Sequence, residues 1–174
     1  MLRLYMGRRY KQILVVLFLV IASSTGLIAC RNSTPEYTFI NEDDVLEIMD
    51  NVEAATNNKD MDSVIKYMAP SVEINMTMET PKGKQKKQFS REQFKANAEN
   101  TLSMVSGYKY KRENDRISIS DDGQSANFEA DIIEELETQG KKIKAITREK
   151  VVMEIIDGKI LVTKMDGDTR MLPR

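Results

Sequence analysis

The sequence predicts an α+β domain in the order helix, helix, strand, helix, then four antiparallel strands. Three observations carry this. Three stretches place apolar residues at helical spacing behind a capping side chain. Later stretches alternate apolar and polar residues with the period of a half-buried strand. Xaa-Gly pairs suited to tight hairpins separate them.

Asn41 caps the first helix, which puts Val45, Ile48, Met49 and Val52 on one face; Asn57-Asn58-Lys59 breaks it. Asp60 caps a second helix carrying Met61, Val64, Ile65, Tyr67 and Met68, which Ala69-Pro70 ends because a residue before proline avoids the helical region. Val72, Ile74, Met76 and Met78 alternate with Glu73, Asn75, Thr77 and Glu79, a strand with one buried face. Pro81-Lys82-Gly83-Lys84 turns the chain, and Lys82, Lys84, Lys86 and Lys87 read as a solvated basic loop. Ser90 and Gln93 form a capping box that opens a third helix with Phe94, Ala98, Leu102 and Val105 inward, closed by Ser106-Gly107. Four strands follow near 108–119, 125–138, 141–156 and 159–166, joined at Asp122-Gly123, Gln139-Gly140 and Asp157-Gly158.

Two-residue turns at those pairs fix a register. Ile155 faces Ile160, Met153 faces Val162 and Val151 faces Lys164; Leu136 faces Ile143, Ile132 faces Thr147, Ala130 faces Glu149 and Phe128 faces Val151; Ile119 faces Ala126, Ile117 faces Phe128 and Asp115 faces Ala130. One face thereby collects Ile117, Ile119, Ala126, Phe128, Ala130, Ile132, Val151, Met153, Ile155, Ile160 and Val162, and a one-residue slip would turn all of it outward. Asp115, Glu149 and Lys164 interrupt that face, as does Glu134 further along. Two readings stay open: a pocket with a few convergent polar groups, or the wet end of a sheet where Lys164 and Glu149 form an ordinary pair. On the first, the pocket candidates are Tyr67, Asp115, Phe128, Glu149, Met153 and Lys164. Glu134, Glu135 and Glu137 alternate sides and read as strand solubility.

Composition narrows the chemistry. The chain has no His and one Cys, which removes the Ser-His-Asp triad, the Cys-His dyad, His-ligated zinc and an internal disulfide. With no His, a single Cys and no phosphate-binding glycine motif, no metal and no cofactor is expected. No catalytic set stands out; Asp115, Glu149 and Tyr67 are the candidates for proton transfer, with Asp115 ahead because Lys164 would weaken Glu149 as a base. Net charge is −1, and residues 1–29 hold +4 from Arg3, Arg8, Arg9 and Lys11, leaving −5 for the remainder. A mildly acidic domain gives no reason to expect nucleic acid as partner.

The first 29 residues read basic, then apolar, then small, which is the pattern of an export signal. They end in Leu27-Ile28-Ala29-Cys30, which resembles the lipobox of bacterial lipoproteins. That resemblance implies cleavage before Cys30, a diacylglyceryl group on its sulfur, and attachment to the extracytoplasmic side of the cell envelope, at the outer membrane in a Gram-negative host given Arg31. Two or three acyl chains anchor stably where one does not. The expected organisation is a signal peptide over 1–29, a lipidated tether over 30–40, the domain over 41–168 and a tail over 169–174.

The element order, with Asn58-Lys59-Asp60-Met61-Asp62-Ser63-Val64, Met68-Ala69-Pro70-Ser71-Val72 and Val152-Met153-Glu154-Ile155-Ile156-Asp157-Gly158-Lys159-Ile160, resembles the nuclear-transport-factor-2-like superfamily of ketosteroid isomerases and polyketide cyclases. The resemblance implies three helices packed in a strongly curved antiparallel sheet, a cone with a cavity. It implies no one activity, since such a fold hosts enzymes and binding modules alike. Three functions follow as expectations. The first is a non-catalytic envelope lipoprotein whose cone takes a small apolar ligand or an envelope partner protein. The second is a small isomerase or dehydratase using an inward carboxylate. The third is a structural module that pairs as a homodimer.

Overall fold

The computed structural model describes residues 36–80 and 83–172. The leader, the Leu27–Cys30 motif and Lys82 lie outside the described residues.

Local chemistry sets the helices. In α1 (Glu42–Asn57) the Asn41 side chain accepts from the Asp44 amide at 3.0 Å while the Asp44 carboxylate accepts from the Asn41 amide at 3.1 Å. This reciprocal pairing satisfies two otherwise orphaned donors. Asp60 caps the short α2 (Met61–Ile65) through the Ser63 amide at 3.1 Å. Ser90 and Gln93 close the predicted capping box of α3 (Arg91–Ser103). Val45, Ile48 and Met49 of α1, Met61 and Val64 of α2 and Leu102 of α3 are buried, as the spacing predicts. Val105 falls beyond the end of α3. Tyr67 and Met68, expected on the second helix, lie past it: Tyr67 is in the connecting turn and Met68 begins a strand.

Cations tie these helices together at their carbonyl ends. Arg91 donates from Nε and Nη2 to the Ile65 carbonyl at 3.1 and 2.8 Å. Lys59 donates from Nζ to the carbonyls of Leu102 and Val105 at 3.2 and 3.3 Å. Both neutralise the partial negative charge of a helix C-terminus.

Six strands form one curved sheet: β1 (Met68–Thr80), β2 (Gly83–Phe89), β3 (Gly107–Ile119), β4 (Ser125–Thr138), β5 (Lys141–Ile156) and β6 (Lys159–Met171), in the order β2-β1-β6-β5-β4-β3. The sheet is not wholly antiparallel as expected, because β1 runs parallel to β6. The basic loop expected after β1 is strand β2, paired along Ile74–Thr80. It is exposed on both faces, so it carries no alternation to reveal it. β6 extends through residues 169–171, expected as tail, and Thr169 is buried there.

The hairpin register holds at nearly every predicted pair, from Ile119 facing Ala126 to Ile155 facing Ile160. Asp157 and Gly158 have φ of 50° and 70°, and Gln139 and Gly140 have 48° and 71°. Consecutive left-handed residues are what a tight turn matched to strand twist requires. The predicted apolar face is the core: Ala126, Phe128, Ala130, Ile132, Val151, Met153, Ile160 and Val162 are buried, and Ile117, Ile119 and Ile155 pack against it.

Two register shifts change the rest. On β3 the pairing jumps between Glu113 and Arg116, with Asn114 at φ 60°. On β6 it jumps so that Met153 faces Val162 while Val152 faces Lys164. Each extra residue reverses the sidedness of the strand beyond it. Asp115 and Lys164 therefore leave the inner face. Arg112 and Met165 take inward positions instead, facing Ile132 and Val151.

Residues 36–40, expected within the tether, are fastened to the domain. The Tyr37 amide donates to the Gly158 carbonyl and the Ile40 amide to the Gly123 carbonyl, both at 2.8 Å, and Ile40 is buried. Among the described residues no helix is long and apolar enough to cross a membrane.

Two side chains of α1 meet the backbone of edge strand β3: Glu53 accepts from the Arg112 amide at 3.3 Å, and Asn57 pairs with Tyr110. Asn57, at the end of α1, donates from Nδ2 to the Tyr110 carbonyl at 2.9 Å and accepts from the Tyr110 amide at 2.8 Å. It thus imitates one residue of a neighbouring strand. Asn57→Ala is expected to destabilise the fold by about 1–2 kcal/mol, since both Tyr110 groups lose their partner. Urea denaturation reads this directly, and an unchanged midpoint would contradict it.

Candidate functional site: an apolar cavity with two carboxylates

The inner face of the sheet and the three helices enclose a cavity of about 320 Å³. This lies at the small end of ligand pockets, roughly 300–1,000 Å³. Helices supply Met49, Val52, Met61, Phe94 and Ala98; strands supply Met76, Ile132, Val151 and Met165. Exposed Met78 and Met171 also line it and mark its mouth.

Polar groups gather on neighbouring strands. Tyr108 and Tyr110 come from β3, Glu134 from β4, Thr147 and Glu149 from β5. The register places Glu134 beside Tyr110, and Glu149 beside Ala130. The Tyr108 hydroxyl donates to the Glu134 carboxylate at 2.7 Å. Thr147 and Thr169 share a hydrogen bond at 2.8 Å, so each hydroxyl is partnered.

Glu149 is different. No side chain among the described residues donates a hydrogen bond to its carboxyl group. Part of its surface stays open because it borders the cavity. Burial pushes its pKa from an ordinary 4.5 to about 7; the Glu134 charge pushes the same way, and Arg112 opposes both. The Tyr108 phenol is held well above its ordinary value by burial, then by the charge and hydrogen bond of Glu134. Burial also raises Tyr110, with Glu149 adding to it.

Arg112 lies behind the polar wall, with its side chain only 7% exposed. Its guanidinium pairs with Asp50 at 2.5 Å, Glu53 at 3.1 Å and Asp115 at 3.5 Å, and lies 5.6 Å from the Phe128 ring centre. Nη1 is buried without a hydrogen-bond partner among the described residues.

Of the six residues expected at a pocket, Tyr67 and Glu149 line the cavity. Phe128 and Met153 are inward but fully buried core. Asp115 sits on the β3 bulge against Arg112 and is no free base. Lys164 points away and pairs with Asp166 at 3.3 Å, so it is no partner for Glu149. Tyr108, Tyr110, Arg112 and Glu134 were not singled out as a group. The signal for Glu134 was its place on the predicted inner face. For Arg112 the bulge hid it. No group of three or more Asp, Glu, His or Cys side chains placed to hold a metal occurs among the described residues.

No family model matches the chain and no curated protein matches its sequence. Solved structures do match. An NTF2-like protein from Cytophaga hutchinsonii is similar over 74% of this chain and 98% of its own, at 16% identity and a TM-score of 0.57. A conserved protein from Planctomyces limnophilus is similar over 74% of this chain and 94% of its own, at 13% identity and 0.63. Hexachlorocyclohexane dehydrochlorinase LinA-type3 from Novosphingobium barchaimii is similar over 74% of this chain and 84% of its own, at 15% identity and 0.55. The chain therefore has the NTF2-like fold expected from the element order, and at these identities the likeness is one of fold.

The Glu149 shift has a signed consequence for stability. Because its folded pKa is raised, the folded protein holds this proton to higher pH than the unfolded chain does. The stability it contributes is present below about pH 4.5 and is lost as pH rises through about 7. Glu149→Gln keeps the shape without the charge, so it should gain on the natural protein by roughly 1–3 kcal/mol between pH 4 and pH 8. Urea midpoints at the two pH values measure this; a stability difference that does not change with pH would refute it.

Proposed function

We propose that the protein is an envelope lipoprotein, anchored through Cys30 on the extracytoplasmic side, whose domain binds a small, largely apolar molecule in the cavity between sheet and helices. The outer membrane is the proposed site in a Gram-negative host. One observation carries the binding function: an enclosed space of ligand size, walled by Met and aromatic side chains, into which an unbonded carboxyl group faces. A filled core has no such group, because an unpaired polar side chain costs free energy unless something meets it. The methionines suit the wall of an adaptable site, since an unbranched thioether repacks easily.

Methyl-labelled methionine makes the test specific to this space. Titrating the full chain with 3-phenylpropanol should move the methyl resonances of Met76 and Met165 saturably, and Ala98→Trp should suppress the shifts by filling the cavity. Shifts that are absent, or indifferent to Ala98→Trp, would refute the binding function. A palmitate analogue should label the natural protein in cells but not Cys30→Ala; a labelled variant would remove the anchor.

The same carboxyl favours a second reading, a proton-transfer enzyme of the isomerase or dehydratase kind. An acid with a pKa of about 7 is suited to exchange protons near neutral pH, and a dehydrochlorinase shares the fold. Glu149 replaces Asp115 as the base, because Asp115 faces away and is paired. On this reading the full chain isomerises an enolisable ketone, and Glu149→Gln loses at least about a hundredfold while Asp115→Asn does not. No turnover by the natural chain, or equal turnover by Glu149→Gln, rejects it.

A further inference from the structure

We propose that the cavity is selective for an apolar organic cation: a protonated amine whose ammonium lies between Glu134 and Glu149 and whose hydrocarbon body lies against Met49, Met61, Met76 and Phe94. The inference rests on the binding function above and names the ligand class for that site.

The charge of the lining is one-sided. Two carboxylates border the cavity and, among the described residues, no Lys or Arg does. Arg112, whose charge acts on Glu149, is engaged by Asp50, Glu53 and Asp115, three acids outside the lining. A ligand carboxylate would meet Glu134 and Glu149 with no counter-charge among the lining residues. A neutral ligand would leave the Glu149 carboxyl without an ionic partner. An ammonium supplies the missing charge and donors that a carboxylate accepts.

The geometry supports the same class. Tyr108 donates to Glu134 at 2.7 Å, which fixes that carboxylate while leaving it further acceptor capacity. The rings of Tyr108 and Tyr110 border the same region, and aromatic faces attract desolvated cations. The apolar remainder of the wall selects against small hydrated cations, which would give up water without replacement.

Proton linkage gives the proposal a second signature. Glu149 is faced by Glu134 from β4 and by Tyr108, Tyr110 and Arg112 from β3, while Gly167 opposite it on β6 and Met76 on β1 carry no charge. A bound ammonium favours its ionised form, so binding releases a proton. Amine affinity should therefore rise about tenfold between pH 6 and pH 8, whereas alcohol affinity should not rise.

The experiment titrates the full chain with 3-phenylpropylamine, 3-phenylpropanol and 3-phenylpropanoate, read at the methyl resonances of Met76 and Met165. At pH 8 the amine should bind about tenfold or more tighter than the alcohol, and the carboxylate weakest. Glu149→Gln should reduce the amine-to-alcohol ratio severalfold, and Glu134→Gln with Glu149→Gln should bring it to within about twofold of unity. An alcohol or carboxylate that binds as tightly as the amine overturns the proposal and leaves the binding function standing. So does an amine preference that survives the double variant or fails to grow with pH. If none of the three moves the methionine methyls, the binding function falls with it.

Discussion

The fold is organised by a buried charge, Arg112. A guanidinium on the inner face of a sheet, 7% exposed, is tolerated only when carboxylates meet it. Glu53 and Asp50 do so from α1, so the charge fastens that helix to edge strand β3. Asp115 does so from the bulge on the same strand, which explains why the bulge turns it toward the guanidinium and out of the pocket wall. Phe128 closes the remaining side with its ring face. Three acids and a ring leave Arg112 little charge to lend to the cavity. Burial raises the Glu149 pKa, the Glu134 charge adds to it, and Arg112 offsets both only in part.

How much of this was legible follows from the range of the interactions. Caps and turns are local: Asn41, Asp60, Ser90 and Asp157-Gly158 act within a few residues, and each does in the structure what its spacing says. The inner face was legible because three hairpins agreed on one parity from Phe128 to Val162. Parity survives only until an extra residue enters, and neither Asn114 nor the shift near Thr163 bears a mark in the sequence. Both misplaced charges, Asp115 and Lys164, lie beyond such a point. Strand β2 escaped for another reason. Gly83–Phe89 is an exposed edge whose Lys-rich sequence resists further pairing, and that composition reads equally as loop. Arg91 and Lys59 reach carbonyls 26 and 43 residues away, distances at which no local pattern exists.

The wall opposite Glu149 shows how a side chain can be placed by the absence of another. Gly167 faces it on β6, and a Cβ there would come within 2.6 and 2.8 Å of the Met76 methyl carbon and sulfur. The missing atom is therefore room that Met76 occupies from β1. Thr147 and Thr169 flank this point and satisfy each other. Soft thioether and mutually paired hydroxyls thus line the cavity beside the carboxyl without hydrogen-bonding it, which keeps its hydrogen-bonding capacity for whatever enters.

The two ends of the sheet are unlike in what they can carry. Residues 36–40 are pinned to the turns at Gly158 and Gly123, while the cavity opens near Met78 and Met171, roughly 40 Å away along a 13-residue strand. Glu36 therefore stands at the end of the sheet far from the opening, and Leu172 stands near it. A surface, bead or fluorescent domain joined ahead of residue 36 leaves the entrance clear. The same cargo joined behind Leu172 stands in the doorway.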